Sequence, residues 1–210
     1  MTDFDALRTE YDVPGLERSA LSSNPFVQFR AWIEDATDQE VPQPNAFILA
    51  TSTHDRPAAR AVLLKGVDHG FVFFTNYRSD KGQQIAENPQ AAMCFAWLPV
   101  HRQVRIEGTV ERISAEDSDA YFASRPRGAQ IASAASPQSR QLADRAELQH
   151  LFADLAESVG SGPVVRPAWW GGFRLIPDRF EFWQGQLNRL HDRFVYELSD
   201  VTWAVRRLAP

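Results

Sequence analysis

The sequence predicts a mainly β fold with added helices, an antiparallel barrel or sandwich, and three observations carry that prediction. Segments with strand-like alternation follow one another across turns too short for the crossover that parallel strands require. Helical patterning is confined to a few stretches between or before the strand blocks, near residues 24–39, 79–88, 114–124 and 143–159. The composition, 210 residues with 44% hydrophobic and 23% charged, suits one substantial globular core.

Residues 1–23 show little periodicity and are expected to form a loosely held, flexible arm, with Phe4, Leu7 and Tyr11 able to make a helical turn or two. The remainder, 24–210, reads as a single domain. Asn24-Pro25 joins an N-cap to a proline at the first helical position, and Phe26, Phe29, Ile33 and Ala36 then share one face to about residue 39. Prolines 42 and 44 stop this helix. Strands follow over 45–53, 58–66 and 71–76, parted by His54-Asp55-Arg56-Pro57 and by Asp68-His69-Gly70. A short helix over 79–88 is closed by Pro89. Strands resume over 91–97 and 103–113, where Val104, Ile106, Gly108 and Val110 alternate with Arg105, Glu107, Thr109 and Glu111, one face buried and one wet. Ser114 with Asp117 resembles a capping box opening a helix that carries Tyr121 and Phe122 toward Arg125. Residues 127–139 are rich in Ala, Ser and Gln, and 143–159 places Leu148, Leu151, Phe152 and Leu155 on one helical stripe, ended by Gly160-Ser161-Gly162-Pro163. From 169 to 210 the pattern gives four strands, WWGGFRLIP, RFEFWQG, DRFVYEL and TWAVRRL.

Several function classes are disfavoured. A net charge of −5 argues against nucleic acid as a partner, since such binding needs a basic surface. The single Cys94 cannot form an internal disulfide, and it lies in an apolar run that reads as a buried strand, so a reducing cytoplasm fits. No apolar stretch approaches the roughly 18 residues needed to span a bilayer, and the N-terminus lacks the plan of a signal peptide; a cytoplasmic protein with no membrane partner is expected. Glycine-rich nucleotide loops, paired cysteines and the helical zinc motif are absent, and the five histidines lack ligand spacing, so no metal is expected.

Chemistry-bearing residues are densest over 181–194, where Gly185 to Leu190 should connect two strands. Trp183, Arg189, His191 and Arg193 either converge there on a small, flat anion or decorate an ordinary hairpin. Further cations sit in or beside strands: Arg60, Lys65, Lys81 and Arg125. Alternation puts Arg60 and Lys65 on opposite faces, so they would serve two different anions unless a bulge intervenes.

Seven blocks in order, RAVLLK, FFTNYRSDKGQQI, RQVRIEG, YFASRPRGAQI, PQS, EFWQGQLNRLHDR and RRLAP, closely resemble the pyridoxine/pyridoxamine 5′-phosphate oxidase family from about residue 24 to 210. The resemblance implies an antiparallel split β-barrel with peripheral helices, a homodimer, and FMN held at the subunit interface by both chains. It implies that Arg60, Lys81, Gln138 and Ser139 hold the FMN phosphate. The run Ala61, Val62, Leu63, Leu64 and Lys65, together with Phe74, Thr75, Gln103, Trp183 and Arg193, would line the rest of the cofactor. Lys65, Tyr121 and Arg125, with Ala129 beside them, match the substrate-phosphate clamp. Arg189 and His191, flanking Leu190, match the catalytic pair over the substrate ring. The implied reaction oxidises pyridoxine 5′-phosphate and pyridoxamine 5′-phosphate to pyridoxal 5′-phosphate, with O₂ reduced to hydrogen peroxide.

Three positions depart from the family pattern: Asp80 where a second arginine is common, Ala129 where a serine is, and Ala134 where a tryptophan is. Two other readings are a split-barrel flavin oxidase for a different aromatic substrate and a non-catalytic FMN- or pyridoxal-phosphate-binding module. Retention of Lys65, Tyr121 and Arg125 speaks against the first, and intact Arg189 and His191 against the second.

Overall fold

A computed structural model describes residue 2 and residues 10–210. Helix α1 (Pro25–Asp38) is capped by Asn24, whose side chain accepts from the Phe26 N–H. Strands β1 (Ala46–Thr53) and β2 (Arg56–Leu63) form a hairpin. Its turn is only His54-Asp55, both at positive φ, the two-residue geometry whose twist matches that of the strands. The strand therefore begins two residues before the expected 58, and a separate short β3 (Gly66–Val67) pairs with β4 (Phe71–Asn76). Ser79 caps α2 (Asp80–Glu87). Next come β5 (Gln90–Trp97), β6 (Arg102–Arg112) and three helices: α3 (Ala115–Ser124), α4 (Arg127–Ala135) and α5 (Arg145–Val159). The Ser114 side chain caps α3 through the Asp117 N–H, as its sequence suggested.

The C-terminal block departs from expectation: three strands, not four, make up β7 (Trp170–Gln184), β8 (Asp192–Ser199) and β9 (Thr202–Leu208). Pro177 was read as a strand end. It lies instead where the β6–β7 register shifts, Gly108 facing Pro177 and Glu107 facing Arg179, so Asp178 is the extra residue of a bulge. A bulge tolerates proline because no regular ladder hydrogen bond is needed there.

All pairings are antiparallel, in the order β2-β1-β5-β6-β7-β4-β3, with β8 and β9 continuing from β7. The first half of β7 pairs with β4 and its second half with β8, while β6 runs along its other edge. The resulting sheet is split and does not close. Its inner face is aromatic: Phe47, Phe71, Phe73, Phe95, Phe180 and Phe182 are all fully buried or nearly so. Helix α1 fills that face, with Phe29 edge-on to Phe71 and Phe95 at 4.9 Å each and Trp32 edge-on to Phe182 at 5.1 Å. Burying side chains of this size contributes about 1.5–3 kcal/mol apiece.

Cys94 is not sealed in the core; it is half-buried on the opposite face, level with Arg105. The α5 stripe exists, but no α5 residue is buried, and Leu148 and Phe152 stay partly exposed beside α4. Residues 14–22, expected within a loose arm, are anchored. The Leu16 N–H donates to Asp192 at 2.8 Å, Gln186 to the Pro14 carbonyl at 3.2 Å, and the Tyr196 hydroxyl to the Ser22 carbonyl at 2.7 Å. All three partners lie more than 170 residues away in sequence, where no local pattern can announce them. Phe4 and Leu7, part of the expected helical turn, lie outside the described residues; Tyr11 is irregular. No helix among the described residues is long and apolar enough to cross a membrane.

A β-carbon on Gly108 would lie 2.0 Å from the Ile176 carbonyl oxygen, a backbone atom that cannot swing aside, whereas one on Gly128 meets nothing within 4 Å. Gly108→Ala is therefore expected to lower stability by about 2–4 kcal/mol. Gly128→Ala, inside α4, should raise it by up to about 1 kcal/mol. Urea midpoints for the two variants test the pair.

Candidate functional site

Two groups of functional side chains emerge, at different ends of β7. At the first, Arg60 lies opposite Leu49 in the β1–β2 ladder and so shares the inner face with Leu49 and Thr51. Its Nη1 donates to the Leu49 carbonyl at 3.1 Å and to Thr51 Oγ1 at 2.6 Å, and its Nη2 to Gln84 Oε1 at 2.8 Å. Lys81, in the first turn of α2, donates from Nζ to Thr75 Oγ1 at 3.3 Å, and Thr75 donates onward to Gln138 Oε1 at 3.1 Å. Among the described residues neither cation is hydrogen-bonded to a carboxylate. Burial pushes Lys81 below the ordinary lysine value, and repulsion from Arg60 adds to this. Burial likewise lowers Arg60. The charge of Asp80 pulls both back up. Two part-buried cations beside hydroxyl and amide groups form a receptor for a multiply charged anion such as a phosphate.

The same end carries a cavity of about 460 Å³ lined by Ala61, Val62, Leu63, Lys65, Phe74, Thr75, Lys81, Tyr121, Arg125, Pro126, Gln138 and Trp170. Lys65, beyond the end of β2, lines this cavity and Arg60 does not, while Lys81 serves both places. Tyr121 stacks on Phe74 at 3.7 Å and 20°. Arg125 sits 4.7 Å over the Trp170 ring and donates to Ser133 Oγ at 2.8 Å, so its fork is held by an aromatic face and a hydroxyl. Ala129 faces an adjoining cavity of about 630 Å³ that shares Arg125, Gln138 and Trp170 and runs on between α4 and α5. Leu64 is buried and does not line either cavity. Ser139 is exposed at positive φ, immediately after Gln138.

The second group is built by register. Gln103 on β6, Trp183 on β7 and Arg193 on β8 are direct cross-strand neighbours. Arg193 is fixed by the buried Glu181, Nε to Oε1 at 2.8 Å, and by the Ala209 carbonyl at 2.8 Å. The other Glu181 oxygen makes no hydrogen bond and has Arg105 3.3 Å away. Trp183 and His191 rings pack at 4.7 Å. The Gln186 N–H donates to His191 Nδ1 at 3.0 Å, so in the neutral ring the proton sits on Nε2. Arg189 and Leu190 are exposed in the connection, where Asn188 and Arg189 both take positive φ. Sequence reasoning missed Tyr11, whose ring lies 4.6 Å from His101, 5.8 Å from His191 and 6.0 Å from Trp183. It also missed Thr51, Gln84 and Ser133.

From Gly172, the partner of Phe74, to Trp183 is about 11 residues of β7, roughly 35 Å of strand. One chain therefore does not bring Arg189, His191 and Arg193 into the cavity that holds Lys65, Tyr121 and Arg125.

The split antiparallel sheet with its part-buried cationic pair has the split-barrel architecture found in flavin-binding oxidoreductases. An FMN-binding protein from Nostoc punctiforme related to pyridoxamine 5′-phosphate oxidase has the same fold, with a TM-score of 0.71 at 19% identity over 90% of this chain and all of that one. More particularly, the chain belongs to the pyridoxamine 5′-phosphate oxidase family. Residues 33–156 match that family, and residues 170–210 match the pyridoxine 5′-phosphate oxidase C-terminal dimerisation region, which comprises β7, β8 and β9 here. The pyridoxine/pyridoxamine 5′-phosphate oxidase of Crocosphaera subtropica is 50% identical over 99% of this chain and 100% of its own. That of Paraburkholderia phymatum is 49% identical over 100% of both. Among solved structures, PhzG from Burkholderia lata, in complex with tetrahydrophenazine-1-carboxylic acid, superposes with a TM-score of 0.89 at 30% identity, over 96% of this chain and 100% of that one. The chain is an FMN-dependent oxidoreductase.

Because Lys81 is held charged against burial and against Arg60, it weakens the fold in the absence of a bound anion. Its depressed pKa means the unfolded chain holds that proton more tightly, so the cost is present while Lys81 is protonated and fades as pH rises toward the ordinary lysine value. Lys81→Met is expected to raise the Tm of the flavin-free protein at pH 7, and the gain should shrink by pH 10. A lower Tm at pH 7 would show that the Lys81 contacts outweigh its charge.

Proposed function

We propose that the protein oxidises pyridoxine 5′-phosphate and pyridoxamine 5′-phosphate to pyridoxal 5′-phosphate, with O₂ as acceptor and hydrogen peroxide as the second product. The supporting observation is that Lys65, Tyr121 and Arg125, far apart in sequence, line one cavity. Two cations and a phenol serve a substrate phosphate and have no use for a neutral alcohol. The names of the relatives, pyridoxine/pyridoxamine 5′-phosphate oxidases throughout, support the same substrates.

Arg60, Lys81, Gln138 and Ser139 would hold the FMN phosphate, and the paucity of counter-charge around the first two fits that group. Thr75, Phe74 and the 61–65 run would border the flavin, joined in the homodimer by Gln103, Trp183 and Arg193 of the second chain. Bound FMN supplies the hydride acceptor and the route by which the electrons reach O₂. The chain's residues do the rest. Lys65, Tyr121 and Arg125 fix the substrate phosphate, Arg189 lays its planar guanidinium on the pyridine ring, and His191 offers Nε2–H, its Nδ1 being occupied by the backbone. The separation of the two groups along β7 within one chain favours a site completed across the dimer.

A second reading has one observation in its favour. Ala129 opens the clamp onto the larger cavity between α4 and α5, and the structurally similar PhzG binds a tricyclic carboxylate. A bulkier aromatic acid would then be the substrate.

The deciding measurement is kcat/KM for pyridoxamine 5′-phosphate and for pyridoxamine, in wild type and Arg125→Ala. The wild type should strongly prefer the phosphate ester, and Arg125→Ala should cost that ester alone about 2–5 kcal/mol, the scale for truncating one partner of a buried charge pair. Equal use of both compounds sinks the clamp and turns attention to bulkier acids. His191→Ala should reduce turnover while the yellow flavin stays bound; loss of flavin instead would move His191 to the cofactor.

A further inference from the structure

Among the described residues Arg60, like Lys81, donates only to neutral acceptors, and its acceptors come from β1 and α2. A guanidinium has five N–H donors. Three are engaged: both of Nη1, by the Leu49 carbonyl and Thr51 Oγ1, and one of Nη2, by Gln84 Oε1. Nε–H and the second Nη2–H remain, the two donors that can grip an oxyanion side-on in parallel. The engaged acceptors are themselves locked together, since the Thr51 hydroxyl donates to Gln84 Oε1 at 2.6 Å. Thr51 is buried at 4% exposure on β1, and Gln84 projects from α2, the helix that also carries Lys81. One hydroxyl and one amide oxygen thus tie the β2 arginine to the helix of its partner cation.

We infer that Thr51 and Gln84 are positioning residues for the cofactor phosphate: they turn the free edge of Arg60 toward the anion shared with Lys81, without touching that anion. The inference rests on the reading of Arg60 as an FMN-phosphate ligand. Neutral acceptors suit this task because a carboxylate would neutralise Arg60 and compete with the phosphate, whereas an amide and a hydroxyl orient it and leave its charge available. Asp80, adjacent to Lys81, sharpens the requirement by adding a negative charge beside the two cations.

The test compares FMN with riboflavin, which lacks the phosphate, by flavin-fluorescence titration of the full-length protein stripped of flavin. Thr51→Val and Gln84→Met should each weaken FMN roughly tenfold and leave riboflavin unchanged, while Thr51→Ser, which keeps the hydroxyl, should bind FMN as wild type does. In an Arg60→Ala background, Thr51→Val should cause no further loss, because nothing is left to orient. If Arg60→Ala lowers the FMN-to-riboflavin preference but Thr51→Val and Gln84→Met do not, the positioning role is wrong and the phosphate assignment stands. If Arg60→Ala itself leaves that preference intact, the assignment on which the inference rests has failed. A parallel loss of FMN and riboflavin in the Thr51 and Gln84 variants would mark a merely structural role and overturn the inference.

Discussion

The long strand β7 and its bulge opposite Gly108 govern the arrangement of everything else. A strand of this length, paired to β6 along one edge, can pair with only one neighbour at a time along the other, and it divides that edge between β4 and β8. The division splits the sheet. It carries Phe74 and Thr75 to one end and Trp183, His191 and Arg193 to the other, so the binding residues of one chain lie in two separate groups. The bulge makes the long run feasible by bending and twisting the strand where Pro177 cannot donate. Close backbone approach at that point is why residue 108 has no side chain.

The aromatic interior gives this plan its rigidity. Large rings from β4, β5 and β7 meet α1 edge-on, and Phe47 of β1 meets Phe73 of β4 in the same way, a geometry that locks rotamers as well as removing apolar surface from water. On that base the ion chemistry is placed with restraint. Several arginines elsewhere pair with carboxylates: Arg174 with Asp68, Arg166 with Asp119, Arg193 with Glu181. Arg60 and Lys81 are the contrast, part-buried and hydrogen-bonded to neutral groups only. Part-buried cations held only by neutral hydrogen-bond partners keep their charge available to an anion.

The anchored segment 14–22 belongs to the second group. Asp192, next to His191, accepts the Leu16 N–H and pairs with Arg207. The same tie carries Tyr11 to the Trp183–His191 rings, so the chain's beginning and end meet beside the residues of the 185–191 connection.

The sequence by itself determined most element types, though not helix α4, because period and punctuation are local properties: Asn24-Pro25 starts a helix, Ser114 caps another, Pro89 closes a third, and alternation along 103–113 marks a half-buried strand. The family resemblance, spread over seven blocks, named the residues of both groups. Tertiary structure alone decided what those residues touch. Proline at 177 ends a strand by local rules and survives in one only because a bulge at Asp178 of the same strand absorbs it. Thr51 and Gln84 are ordinary residues until the β1–β2 register sets Arg60 across from Leu49 and α2 folds over the hairpin. Segment 14–22 has no periodicity of its own, and its order comes from partners more than 170 residues away. Hydrogen bonds and charge act through space at a few ångströms, and sequence patterns report only the backbone's own few-residue repeats. That is the reason the elements were legible in advance and their contacts were not.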